Sequence, residues 1–182
     1  MELAGRRVAI LADSMFEDLE LWYPLLRLRE AGAEVFVVGS ESDDEVTGLH
    51  GFTVKPDTEA EMVDAAQFDA IVVPGGYAPD HLRRSAAVVR LVRQAALQGR
   101  VVAAIGHGAS LLVSANVVAS RTMTCHRAVR DDVTNAGASV LDRDVVRDGN
   151  LLTARAPGDL PAFGRLLVQA IAELPMRHGS AR

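Results

Sequence analysis

Residues 7–38 are RVAILADSMFEDLELWYPLLRLREAGAEVFVV, and this stretch decides the fold. It opens with a continuous apolar run, Arg7–Ala12, which is typical of a strand buried on both faces. Leucines at helical spacing then predict a helix over residues 17–31, which Gly32 ends. A second apolar run follows at residues 34–38. Strand, helix and strand in this order favour a parallel sheet with a right-handed crossover.

The same alternation of apolar runs and helical patterns continues along the rest of the chain. The predicted elements are strands at residues 68–73, 101–105, 121–124, 139–142 and 145–153, helices at residues 86–97, 109–118 and 160–174, and a small antiparallel insertion at residues 45–55. A hairpin turn is predicted at Asp148-Gly149-Asn150. The pattern indicates one doubly wound α/β domain spanning residues 1–182, with an ordered core over about residues 5–175 and a frayed tail at residues 176–182.

The composition indicates which broad class of protein this chain belongs to. The 182 residues are 49% hydrophobic and 24% charged, with a net charge of -5, as in a soluble globular domain. A mildly acidic chain without a basic cluster argues against nucleic acid as a partner. No apolar run approaches the roughly 18 residues needed to span a membrane, and no signal peptide is evident, so a cytoplasmic protein is expected. A single cysteine, Cys125, excludes an internal disulfide and fits a reducing compartment.

Three predicted strand ends carry unusual residues. Glu17 follows the first strand, Pro74-Gly75-Gly76 follows residues 68–73, and Gly106-His107-Gly108 follows residues 101–105. In open α/β sheets, ligands bind at the carboxyl ends of the strands. Small residues allow the last of these turns to be sharp, so that its backbone N–H groups can point at an anion or a carbonyl group.

Several motifs resemble those of the PfpI/ThiJ family. They are FEDLEL at residues 16–21, VPGGYAPD at 73–80, AIGHG at 104–108, DDVTNAGA at 131–138 and DGNLLTAR at 148–155. They occur in family order and cover nearly the whole chain, which makes the set specific. The resemblance implies a flavodoxin-like, doubly wound α/β sandwich with a mostly parallel central sheet. It also implies a small-molecule substrate and a homodimer or larger homo-oligomer.

The resemblance assigns roles to individual residues. Glu17 matches the family's pocket carboxylate, and His107 matches the histidine that follows the nucleophilic cysteine. Gly76, beside Gly75, and the His107 backbone match the positions that bind an oxyanion. Asp80 matches an acidic position that reaches a neighbouring subunit's site in some members. Gly106 itself matches the cysteine position, either as a natural loss of thiol chemistry or as an introduced substitution.

Without that thiol, three functions are open. The first is a cofactor-free acid–base enzyme of the lyase, hydratase, cyclase or isomerase type, in which Glu17 moves the proton and His107 or His126 assists. The second is a non-catalytic binding or scaffolding protein. The third uses Cys125, paired with His126, as a displaced nucleophile, since Cys–His pairs generate thiolate. The chain lacks compact metal-ligand spacing, so neither a metal nor another cofactor is expected.

Each candidate residue also has a structural interpretation. Glu17 could cap the helix that begins beside it, where an acid favours the helix dipole. His107 could be a buried structural histidine, and His126 an exposed loop residue. Cys125 could be a small buried hydrophobic side chain, the commonest fate of a free cysteine.

Overall fold

A computed structural model describes residues 1–40 and 45–176. The strands are β1 (Arg7–Ala12), β2 (Glu34–Gly39), β3 (Val46–Thr47), β4 (Thr53–Val54), β5 (Thr58–Glu59), β6 (Ala70–Val73), β7 (Val101–Ile105), β8 (Thr122–Met123), β9 (Ser139–Val140), β10 (Val145–Asp148) and β11 (Leu151–Ala154). The helices are α1 (Asp18–Glu30), α2 (Ala78–Leu82), α3 (Ala86–Leu97), α4 (Ala109–Ser114), α5 (Arg130–Asn135) and α6 (Leu160–Ala172). Short 3-10 turns connect several of them.

Seven of these strands form one central sheet, in the order β10-β11-β7-β6-β1-β2-β5. All neighbours in it are parallel except β10 and β11, which form an antiparallel hairpin at one edge. Helices flank the sheet, with α1 packed against α6 and α3 packed against α4. The predicted doubly wound, mostly parallel α/β sandwich is confirmed.

The core explains why the central strands are apolar throughout. Strands β6 and β7 have no exposed residue, because both faces of the sheet are covered by helices. Leu21, Leu25 and Leu28 of α1 are buried at helical spacing and join the same apolar cluster as these strands. Within the described residues, no helix is both long and apolar enough to span a membrane.

Some predicted bounds are wrong, for local reasons. The helix predicted at residues 109–118 ends at Ser114, because Asn116 adopts a left-handed conformation with φ 57° that a helix cannot continue through. The segment predicted at 145–153 forms two antiparallel strands, and the hairpin turn predicted at Asp148-Gly149-Asn150 is confirmed between them. Helices α2 and α5 were not predicted, since five or six residues show no periodicity. Residues 177–182 of the predicted tail lie outside the described residues.

A buried arginine closes the fold at the amino edge of the sheet. Arg6 is only 4% exposed. Its guanidinium donates to the carbonyl oxygens of Pro175, at 2.9 Å, and of Leu174, just beyond α6, and forms an ion pair with Asp69 at 3.4 Å. The residues after the last helix are therefore fastened directly beside the first strand, where β1 begins.

Candidate active site

The loops after β1 and β6 are joined at the carboxyl edge of the sheet. Phe16 and Gly76 form an isolated antiparallel bridge, and the Glu17 N–H donates to the Gly75 carbonyl oxygen at 3.3 Å. Gly76 has a φ of +73°, and a Cβ there would overlap the Met15 carbonyl oxygen. Only glycine fits this crossing, which explains Gly76 in the sequence.

The third strand end presents Gly106 to the same region. Gly106 follows β7 directly, at the sharp turn predicted there, and has a φ of +62°, an uncommon value for residues with a side chain. It begins a 3-10 turn, Gly106–Gly108, that leads into α4. A Cβ on Gly106 would lie 2.9 Å from both carboxyl oxygens of Glu20. The Glu20 carboxyl group thus lies where a side chain at position 106 would begin.

Glu20 is the functional candidate that the sequence interpretation missed. Its side chain is buried, 3% exposed, and the Gly75 N–H donates to its Oε2 at 2.8 Å. Burial raises the pKa of Glu20 to about 8; the Gly75 hydrogen bond lowers it and the nearby charge of Glu17 raises it. At neutral pH the carboxyl group is therefore mostly protonated. The sequence did contain one signal for the burial of Glu20. Its spacing of four residues from Pro24, and of Pro24 from Leu28, is that of one helix face, and the structure buries all three on one face of α1.

The position of Glu17 suits both a helix cap and a pocket carboxylate. It is the N-cap of α1, and its Oε2 accepts from the Glu20 N–H at 3.0 Å. Its other oxygen lies 3.4 Å from Nε2 of His50, and the residue also lines the cavity at this edge. Its participation in catalysis stays a prediction.

The two predicted histidines form a stacked pair. The ring centroids of His107 and His126 are 4.3 Å apart, with 26° between the ring planes. The Ala128 N–H donates to Nδ1 of His126 at 3.2 Å, so neutral His126 carries its proton on Nε2. Burial lowers the pKa of His107, and so does a charge on His126, while Asp80 opposes the shift. His107 is therefore neutral at pH 7 and able to accept a proton.

A cavity of about 260 Å³ unites most of these groups. Its lining includes the predicted residues Glu17, Gly76, Gly106, His107 and His126, together with Glu20. Gly75 lies behind it and holds the Glu20 carboxyl group. Asp80 is not among the lining residues; it is exposed and forms an ion pair with Arg83 at 3.7 Å.

Cys125 lies against a neighbouring cavity rather than this one. It is 6% exposed, and burial raises the pKa of its thiol to about 11, although the charge of Arg130 opposes that shift. A thiol with this pKa is protonated at neutral pH, which argues against Cys125 as a displaced nucleophile. The described residues also contain no group of three or more His, Cys, Asp or Glu side chains arranged to hold a metal ion.

Comparison with known proteins agrees with this architecture. Residues 6–170 match the model of the DJ-1/PfpI family. The chain belongs to the DJ-1/PfpI family. The family resemblance inferred from the sequence motifs is therefore confirmed.

Several DJ-1/PfpI relatives with curated names are deglycases. Deglycase PfpI of Pyrococcus furiosus is 41% identical over 165 residues, which span 91% of this chain and 99% of the relative. Protein/nucleic acid deglycase 2 of Escherichia coli is 40% identical over 163 residues, spanning 88% and 95%. A solved two-domain protein of Anabaena variabilis, with DJ-1/ThiJ/PfpI-like and ferritin-like domains, superposes with a TM-score of 0.90 at 37% identity, covering 97% of this chain and 52% of that chain.

Proposed function

We propose that this protein is a deglycase-type enzyme that releases small carbonyl compounds from amines by acid–base catalysis, without a thiol adduct at position 106. The observation that carries the proposal is the Glu20 carboxyl group, which is buried, mostly protonated at neutral pH and directly beside Gly106. The deglycase names of two DJ-1/PfpI relatives support the substrate class. The lyase-type reaction expected from the sequence is retained, with Glu20 in place of Glu17 as the proton donor.

The reaction is the cleavage of a carbinolamine, in which one carbon carries both a hydroxyl group and an amine nitrogen. His107 accepts the hydroxyl proton while the oxygen forms a carbonyl double bond to that carbon. The carbon–nitrogen bond breaks, and Glu20 gives its proton to the departing nitrogen. The products are a neutral amine and an aldehyde or ketone. Proton transfer from His107 back to Glu20 through solvent restores the starting state, so no cofactor or co-reactant is consumed.

The surroundings of Glu20 suit it for this role. The Gly75 N–H donates to Oε2, which leaves Oε1 to carry the acidic proton. Gly106 has no side chain between this carboxyl group and the cavity. The Gly76 N–H has no acceptor among the described residues and lies at the cavity wall, where it can stabilise negative charge developing on the substrate oxygen.

The pKa directions predict the dependence of the rate on pH. Catalysis requires protonated Glu20, so the rate should fall as the pH rises through about 8. It also requires neutral His107, whose pKa lies below the ordinary value of 6.5. Below that pKa the rate should fall again. A plateau across neutral pH is the expected profile.

The test is Glu20→Gln, which keeps the size of the side chain and removes its proton. We expect a loss of about 100-fold or more in the enzyme-catalysed rate of carbinolamine cleavage, the range typical of a general acid. The rate can be measured by NMR magnetisation exchange between the carbinolamine of glyoxal with an amine and its free components, in a buffer without amines. Glu61→Gln, which neutralises an exposed carboxylate 67% accessible to solvent, is the matched control.

Two results would contradict the proposal. One is a Glu20→Gln protein as active as the Glu61→Gln protein. The other is a wild-type rate that does not exceed the uncatalysed exchange, which would favour the binding or scaffolding alternative.

A further inference from the structure

A second cavity, of about 240 Å³, adjoins the candidate active site. His126 and Ala156 line both cavities, so the two adjoin at these residues. The His126 N–H also donates to the Gly106 carbonyl oxygen at 3.2 Å, which fixes the wall between them. A ligand reacting beside Glu20 could therefore extend past the His126 ring into the second cavity.

The second cavity contains a buried hydroxyl group without a partner. Thr124 lines it and is 1% exposed, and its Oγ1 makes no hydrogen bond within residues 1–40 and 45–176. Its backbone N–H, in contrast, donates to Oγ1 of Thr153 at 2.9 Å. A buried hydroxyl without a partner costs free energy, and this cost is removed when a ligand supplies an acceptor.

Two arginines at the same cavity also lack partners. Among the described residues, the guanidinium groups of Arg127 and Arg130 make no ion pair or hydrogen bond, although both residues line the cavity. The charge of Arg130 acts on the Cys125 thiol in the cavity wall. The one acidic residue in the lining, Asp142, is already bound to Arg155 at 2.8 Å. Two arginine side chains therefore remain available at this cavity, and guanidinium groups match the geometry of oxyanions.

We propose that this second cavity binds an oxyanion of the substrate, a carboxylate or a phosphate, through Arg127, Arg130 and the Thr124 hydroxyl. The identification of this ligand as the substrate rests on the proposed function. The substrate would then be a carbonyl adduct of an amine that bears a carboxylate or phosphate group. Such a group lying past His126 would hold the reacting carbon beside Glu20.

The test is a titration of the full chain followed by the amide NMR signals of Thr124 and His126. The probes are glycolate, glycerol 1-phosphate and uncharged glycerol. We expect both signals to move with at least one of the two anions and not with glycerol. The tighter anion identifies the source of the oxyanion as a carboxylate or a phosphate.

Three variants sharpen the test. The double variant Arg127→Gln, Arg130→Gln should weaken anion binding by about tenfold or more. Arg93→Gln, which removes an exposed guanidinium on α3, should leave it unchanged. Thr124→Val should weaken binding and also raise the melting temperature of the ligand-free protein, because the unpartnered hydroxyl is gone.

Several results would overturn the inference: signals that do not move with either anion, glycerol acting as well as the anions, or equal weakening by Arg93→Gln and the double variant. Glu20→Gln separates this inference from the proposed function. A protein that binds the anions, yet keeps its turnover when Glu20 is changed, retains the oxyanion site and loses the proposed mechanism. A protein whose turnover needs Glu20 but which binds neither anion retains the proposed mechanism and loses the oxyanion site.

Discussion

Two groups of carboxyl side chains lie on the same side of the molecule and are stabilised in opposite ways. Asp142, Asp144 and Asp159 surround one guanidinium group, Arg155, which donates to Asp142 at 2.8 Å and to Asp159 at 3.0 Å. Hydrogen bonds to Asp159 and Asp142 raise the pKa of Arg155, and the charges of Asp159 and Asp144 add to this shift. Within residues 1–40 and 45–176, the second group, Glu17 and Glu20, has a single ion-pair partner, His50, which is 67% exposed and lies beside Glu17. There burial keeps a proton on Glu20, and the nearby charge of Glu17 adds to this effect.

The difference teaches what each arrangement is suited to do. A carboxylate held by arginine keeps its charge and is fixed in place, which serves stability. A buried carboxyl group that is neutral near pH 7 holds a proton that it can give to a ligand, which serves catalysis and costs stability when the proton leaves. Each of the following predictions alters one side of this comparison.

The largest effect should be the dependence of folding stability on pH. The pKa of Glu20 is about 8 in the folded state and 4.5 in its reference state. The folded chain therefore binds the proton more tightly, and its stability should fall as the pH rises from about 4.5 to about 8. The loss over this whole pH window is on the order of 5 kcal/mol at roughly 1.36 kcal/mol per pKa unit. Urea unfolding at pH 5 and pH 9 measures it.

Glu20→Gln isolates this contribution, because glutamine is neutral at every pH. The quantity to follow is the difference in the free energy of unfolding between wild type and the variant. This difference should decline as the pH rises from about 4.5 to about 8, and it should be level above that pH. Glu61→Gln should leave the wild-type dependence intact. A difference that stays constant from pH 5 to pH 9 would show that Glu20 is not held in its neutral form.

An intermediate effect is expected at Gly106. Gly106→Ala places a methyl group against the Glu20 carboxyl oxygens, whereas Gly149→Ala adds one at a similar φ of +58° with no atom closer than 3.6 Å. Both changes incur the left-handed backbone cost, about 1–2 kcal/mol. Gly106→Ala should lose about 1–3 kcal/mol more, the usual cost of overpacking. Urea midpoints at pH 6 compare them. Equal losses would mean that the Glu20 carboxyl group moves aside freely.

The smallest effect should follow from Arg155→Gln, on the compensated side of the comparison. Asp142 and Asp144 are 78% and 71% exposed, so solvent screens most of their repulsion. We expect a modestly lowered melting temperature, with the difference from wild type shrinking as salt is added. Arg93→Gln controls for the loss of one surface charge. If the decrease in melting temperature does not depend on salt, Arg155 stabilises the protein through packing and not through its charge.

The sequence predicted those parts of the fold that depend on local apolar patterns. The bounds of β1, α3 and β7 were correct, because their residues are buried in runs or stripes that hydrophobicity alone defines. The sharp strand-to-helix turn at Gly106 was also predicted, from small residues on both sides of a strand end. The end of α4 was wrong, since it depends on the conformation of the single residue Asn116.

The candidate site was predicted less completely, because its chemistry depends on contacts between distant segments. Glu17 and Glu20 are three residues apart in one motif, and the sequence does not distinguish them. The burial of Glu20 depends on the loop at Gly75, 55 residues away, which closes over its carboxyl group. The stacking of His107 on His126 likewise depends on how the segment after β8 returns to the sheet.

The buried side chain of Arg6 has a practical consequence for handling the protein. It fastens Pro175 beside the start of β1, at the edge of the sheet opposite Gly106. A tag, a solid support or a fused protein joined beside Leu3 or Pro175 would therefore begin on the side of the molecule opposite the candidate active site. Such an attachment would begin away from the pocket mouth, so these two sites are the first choice for immobilising the protein with the pocket facing solution.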